Sequence, residues 1–119
     1  MKLFPSLQKR YAKERLTAVQ AQRLAQEIAF GPVVFQVSRL MLKFGIFRLL
    51  SDNREGLSLE QISQKTELSR YAAQVLLEAS LTIGTVLVKD DQYILAKAGW
   101  FLLNDEMAQV NMNFNQDVN

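Results

Sequence analysis

The stretch Leu57–Leu103, LSLEQISQKTELSRYAAQVLLEASLTIGTVLVKDDQYILAKAGWFLL, decides the fold. Ser58 and Gln61 stand three apart, the spacing at which a hydroxyl and an amide satisfy each other's free backbone N–H groups at a helix start. Leu57 and Ile62 flank that box as a hydrophobic staple, so a short helix begins here and turns at Thr66-Glu67-Leu68. Ser69 caps a second helix, SRYAAQVLLEASLTI, whose Ala72, Val75, Leu76, Ala79 and Ile83 are expected to face the core. Gly84 ends it. TVLVK and QYILA then alternate Val86, Val88, Tyr93 and Leu95 around Asp90-Asp91, which predicts a hairpin. Asp-Asp is a poorer two-residue turn than Asn-Gly, so the loop is expected to run a residue or two longer. Lys97–Leu103 reads as a last helix that packs Trp100 and Phe101 onto the core. The order is that of a mainly α winged helix-turn-helix with a two-stranded wing.

Upstream, residues 6–29 contain neither Gly nor Pro, are rich in Gln, Ala, Arg, Lys and Leu, and predict one long helix. Phe30-Gly31-Pro32 is expected to break it, with Pro32 as the first residue of a second helix, Pro32–Phe44. Gln36, Arg39 and Lys43 fall on one face of that helix. Val33, Val34, Phe35, Val37, Leu40, Met41, Leu42 and Phe44 cover most of the remaining circumference. A surface helix needs an apolar stripe of only about 100° toward its own core, so the excess predicts a second partner. Gly45 is a stop, followed by a helical turn, Ile46–Leu50, and the polar loop Ser51–Gly56. Beyond Leu103 the segment NDEMAQVNMNFNQDVN has little periodicity and is expected to be an irregular tail. The chain thus divides into N-terminal helices (residues 1–56), a winged module (57–103) and a tail (104–119) that leads toward a missing domain.

The 119 residues suffice for one small domain, and 49% hydrophobic with 22% charged residues argues for a folded chain over a disordered one. Arg39, Lys43 and Arg48 interrupt the densest apolar run, and the N-terminus lacks the apolar core of a secretory signal. No membrane association and a cytoplasmic location are the expectation. With no Cys and no His, thiolate and imidazole chemistry is excluded, no metal site is expected, and no catalytic residue can be nominated. The five glycines are scattered singly, so no phosphate-cradling loop can be assembled. Asp90-Asp91 and Asp105-Glu106 read as turn or helix-start carboxylates.

Charge separates the possible roles of the helix pair. A reading helix presents Arg, Lys, Asn or Gln to base edges and is backed by cations for phosphate. The candidates for DNA contact are Arg70, Gln74 and Lys89, but residues 58–96 carry three cations against five carboxylates, a net of −2. Nucleic acid is therefore an unlikely partner, and a winged-helix transcriptional regulator is the alternative reading. Residues 1–50 hold nine Lys/Arg against Glu14 and Glu27. An adaptor that docks an acidic partner on this basic arm is a third reading, although the interspersed Gln and Glu make a solvated face the simpler one.

The segments LMLKFGIFRLL, GLSLEQISQKTELSRYAAQVLLEASLTIGTV and DDQYILAKAGWFLL, in that order, resemble the N-terminal dimerisation domain of class I S-adenosylmethionine-dependent O-methyltransferases. The resemblance rests on Phe44-Gly45-Ile46-Phe47 with Leu49-Leu50, Leu57-Ser58 with Gln61-Ile62, Leu76-Leu77, Leu81, Ile83-Gly84, and Tyr93-Ile94-Leu95 with Gly99. It implies a homodimer formed through the N-terminal helices and a domain that helps to wall the acceptor pocket of the full-length enzyme; the apolar surface of the Pro32–Phe44 helix then nominates Val33, Val34, Val37, Leu40, Met41 and Phe44 for the interface. The family's Gly-rich cofactor domain is missing from this sequence. S-adenosylmethionine is accordingly expected in that further domain, with no cofactor and no catalysis in this chain.

Overall fold

A computed structural model describes residues 4–118; residues 1–3 and 119 of the two terminal segments lie outside the described residues. Seven helices and one two-stranded antiparallel sheet are present among the described residues. The chain divides into two compact units, Met1–Gly31 and Pro32–Asn119, each described by itself below.

The first unit holds α1 (Pro5–Arg10) and the beginning of α2 (Ala18–Lys43). The single helix expected over 6–29 does not form, because a capping box interrupts it. Thr17 Oγ1 accepts from the Gln20 amide at 3.2 Å and Gln20 Oε1 accepts from the Thr17 amide at 3.0 Å, which starts a new helix at Ala18. Ahead of it, Arg15 donates to the Arg10 carbonyl and the Glu14 carboxylate accepts from the Leu16 amide, holding residues 11–17 in a non-helical connection. Every residue from Ala18 to Phe30 is exposed.

Pro32 does not begin a new helix but lies inside α2. A proline interior to a helix leaves the carbonyl four residues back, here that of Ile28, without its donor. Ile28 is 69% exposed, so water can serve that carbonyl while the flanking turns remain hydrogen-bonded.

In the second unit, α2 ends as expected at Gly45, whose φ of 75° suits a residue without a Cβ. The chain continues into α3 (Ile46–Asp52), then α4 (Leu59–Lys65), α5 (Arg70–Ile83), β1 (Val86–Lys89), β2 (Gln92–Leu95), α6 (Lys97–Asn104) and α7 (Glu106–Val118). The Ser58–Gln61 capping box is present in both directions, and the staple residues Leu57 and Ile62 are buried. Ser69 Oγ caps α5 through the Ala72 amide, and Gly84 closes it in the left-handed region. α5 is rotated from the expected face: Ala73, Leu76, Leu77 and Ser80 are buried, whereas Val75 is exposed. Choosing Ala72, Val75 and Ala79 read the apolar stripe one position off, because Ser80 occupies a core position that a hydropathy pattern assigns to solvent.

The hairpin pairs Val86 with Leu95 and Val88 with Tyr93. Its turn is Asp90-Asp91 alone, with φ of 53° and 62°, so the longer loop expected from sequence is not formed. Two successive left-handed residues match the twist of a tight hairpin, and aspartate tolerates that region better than most side chains. Leu57 exchanges two backbone hydrogen bonds with Tyr93, at 3.0 and 2.7 Å, which fastens the entrance of α4 to β2. This order of helix, helix and hairpin is compatible with a winged helix.

The core of this unit is made by Met41, Ile46, Phe47, Leu50, Leu57, Ile62, Ala73, Leu76, Leu77, Val86 and Leu103. α6 approaches it through Gly99: a Cβ there would stand 2.5 Å from the Thr85 carbonyl oxygen and 2.6 Å from Leu95 Cδ1. Leu103 is buried, but Trp100 (38% exposed) and Phe101 (53%) are not packed into the core as expected; they flank the buried Gly99 on the outer side. The supposed irregular tail is α7. Asp105 Oδ1 accepts from the Met107 amide at 3.0 Å and Gln109 donates back to the Leu103 carbonyl, so the acidic pair Asp105-Glu106 is a helix start.

Two stability outcomes follow. Gly99→Ala gains about 1 kcal/mol of helix propensity but meets a backbone carbonyl that cannot step aside, so a net loss of about 2 kcal/mol is expected in urea denaturation. Replacing Asp90-Asp91 with Asn-Gly relieves two left-handed non-glycine residues and is expected to raise stability by about 1 kcal/mol in the same measurement.

Candidate functional site

The six residues expected at an interface occupy different environments. Met41 is fully buried within its own unit and holds the end of α2 on the core. Val37 and Leu40 are half-buried and pack against that core, Val34 and Phe44 are half-buried, and Val33 is 56% exposed. One face of α2 in this unit is thus committed internally, while Val33 and the outer parts of Val34, Val37 and Leu40 are left to solvent. The polar stripe is also organised: Arg39 Nε donates to Gln36 Oε1 at 3.1 Å, and the Lys43 ammonium lies 5.7 Å from the centre of the Phe44 ring. In the first unit, Val19, Leu24, Ile28 and Phe30 of the same helix are exposed. The sequence marks Val19, Leu24 and Ile28 as apolar positions of a long helix, but their sparse spacing among Gln, Arg and Glu gave no ground to place them at an interface.

Two of the three residues nominated for DNA contact, Arg70 and Gln74, are engaged with carboxylates. Arg70 Nε lies 2.5 Å from Glu60 Oε1, bridging the start of α5 to α4. Both side chains are more than half exposed, so the pair orients Arg70 and contributes little stability. Gln74 Nε2 donates to Glu78 Oε1 at 3.0 Å. Lys89 sits at the wing tip beside Asp90 and Asp91. The arrangement places a carboxylate against Arg70 and against Gln74, and two in sequence beside Lys89.

For chemistry the described residues offer little. Among them no group of three or more His, Cys, Asp or Glu could hold a metal ion. No described helix is long and apolar enough to cross a membrane. A groove of about 420 Å³ is bordered by the end of α3, the end of β2 and the start of α6, with Leu50, Arg54, Ile94, Lys97, Trp100 and Phe101 in its walls.

Taken as a class, this is a mainly helical module with a small two-stranded hairpin, whose least satisfied surface is apolar and helical. The chain belongs to the Dimerisation2-like domain family, whose model matches residues 22–93. Comparison with curated protein sequences finds no match. Among solved structures, the S-adenosylmethionine-dependent methyltransferase SibL in its apo form is similar to 76% of this chain at 27% identity, with a TM-score of 0.63 over 26% of its own length. LepI, solved in complex with S-adenosylmethionine, shares the fold at 20% identity and a TM-score of 0.66, over 91% of this chain and 27% of LepI. A further structure, described as a pericyclic reaction enzyme, shares it at 19% identity and a TM-score of 0.66, over 91% of this chain and 26% of that one. The chain spans about a quarter of the length of these proteins.

The division of α2 has a direct mutational consequence. Met41→Ala is expected to lower stability by about 2–5 kcal/mol through the cavity it leaves. Val33→Ala, at an exposed site eight residues earlier, should stay within about 0.5 kcal/mol in the same denaturation experiment.

Proposed function

We propose that this chain is the homodimerisation domain of an S-adenosylmethionine-dependent methyltransferase. The observation that carries the reading is the exposed apolar surface of α2, in a chain that belongs to a Dimerisation2-like family and is similar to part of a methyltransferase. Val33, Val34, Val37, Leu40 and Phe44 contribute to the contact with the second copy, and Met41 supports them from beneath. Residues 1–56 serve as the association arm, residues 57–103 as the module that carries it, and residues 104–119 lead through α7 toward a cofactor domain. That domain binds S-adenosylmethionine and performs the methyl transfer, while this one contributes no catalytic group and helps to wall the acceptor pocket of the whole enzyme. A stable contact of this kind buries at least about 1,000 Å² and is dominated by a few central apolar side chains.

Sedimentation equilibrium at micromolar concentration is the test. The unmodified chain is expected to sediment as a dimer. Val33→Glu places a charge on the exposed face without touching the core, and is expected to weaken association by about tenfold or more while far-UV circular dichroism is unchanged. Ile28→Glu makes the same test in the first unit. A monomeric unmodified chain, or dimers indifferent to both substitutions, would overturn the proposal.

A further inference from the structure

The groove between α3, β2 and α6 has a character that self-association through α2 does not explain, since no residue of α2 lines it. Its volume, about 420 Å³, lies within the range of small-molecule sites, roughly 300–1,000 Å³. Its apolar walls are Leu50, Ile94 and the paired rings of Trp100 and Phe101, which meet edge to face with centroids 5.2 Å apart. Both rings keep much of their surface in solvent.

Charge selects the occupant. Arg54 and Lys97 line the groove, and no carboxylate does. Among the described residues neither cation has a hydrogen-bond or ion-pair partner, in contrast to Arg70, which Glu60 holds. The groove therefore pairs an aromatic, apolar surface with two uncommitted positive charges, within a module that is otherwise net negative. We propose that it binds a small planar anion, of the class of aromatic carboxylates, with the ring against Trp100 and the carboxylate between Arg54 and Lys97. The inference does not depend on the dimer reading.

Trp100 is the single tryptophan of the chain, so its fluorescence reports on the groove directly. The probes are 1-naphthoate, the uncharged isostere 1-naphthamide, and acetate as charge without a ring. Saturable quenching by naphthoate at one site per chain is expected, with naphthamide weaker and acetate silent. Exposed charge pairs are each worth a few-fold in affinity, so Arg54→Ala and Lys97→Ala should each weaken naphthoate binding about three- to fivefold, and added salt should do the same. Both residues are exposed, so the fold should survive, which circular dichroism checks. Equal binding of naphthoate and naphthamide, unsaturable quenching, or indifference to both substitutions would overturn the proposal. So would Trp100 emission that shifts with protein concentration alone, which would mean that a second copy covers the groove. Val33→Glu separates the two ideas: it is expected to reduce self-association and leave naphthoate binding unchanged.

Discussion

Met41 is the point on which the arrangement depends. It is fully buried two residues before the end of α2 and is the one hydrophobic side chain of that helix in the buried core of its unit, with Ile46, Phe47 and Leu50, while Val37, Leu40 and Leu42 pack against it half-buried. A helix that long cannot be satisfied by a hold at one end. Val33 and the outer parts of its neighbours remain in water, and a chain that leaves such side chains exposed on one element gains free energy when another surface covers them. The remaining elements make this hold firm. The Ser58 capping box, the Leu57–Tyr93 bridge and the close approach of Gly99 to Thr85 each fix a neighbour of the core without adding exposed apolar surface.

The helix pair combines a shape known from nucleic-acid readers with a distribution of charge that differs from theirs. Its caps and wing are those from which a DNA-reading module can be built, but Arg70 is turned toward Glu60, Gln74 toward Glu78, and Lys89 is placed beside two aspartates. The family model, over residues 22–93, spans most of α2 together with the helix pair and the hairpin.

Much of this was legible in the sequence wherever a local signal and the tertiary environment agree. Ser58 with Gln61, Ser69, Gly45 and Gly84 mark helix ends that the structure places where they were expected. The misreadings have separate physical causes. Thr17 and Gln20 form a capping box as plain as that of Ser58 and Gln61, but it lies inside a run of strong helix formers that masks it. Pro32 is tolerated because the carbonyl it deprives lies on an exposed turn. Trp100 and Phe101 were expected inside on hydrophobicity alone, yet the contact they would make is taken by Gly99, the one residue small enough to lie against a backbone carbonyl. The residues proposed for association could be nominated from the apolar circumference of α2, but only packing distinguishes Met41, which serves the core, from Val33, which does not.

The most direct measurement of the central claim is amide hydrogen exchange along α2 as a function of protein concentration. A helix face covered by a second copy opens less often, so its amides exchange more slowly when the dimer is populated. The account predicts that amides around Val33–Val37 gain protection as concentration rises, while those of the already buried α3 and α5 change little. Protection in α2 that is the same at all concentrations, in a chain that remains monomeric, would contradict it.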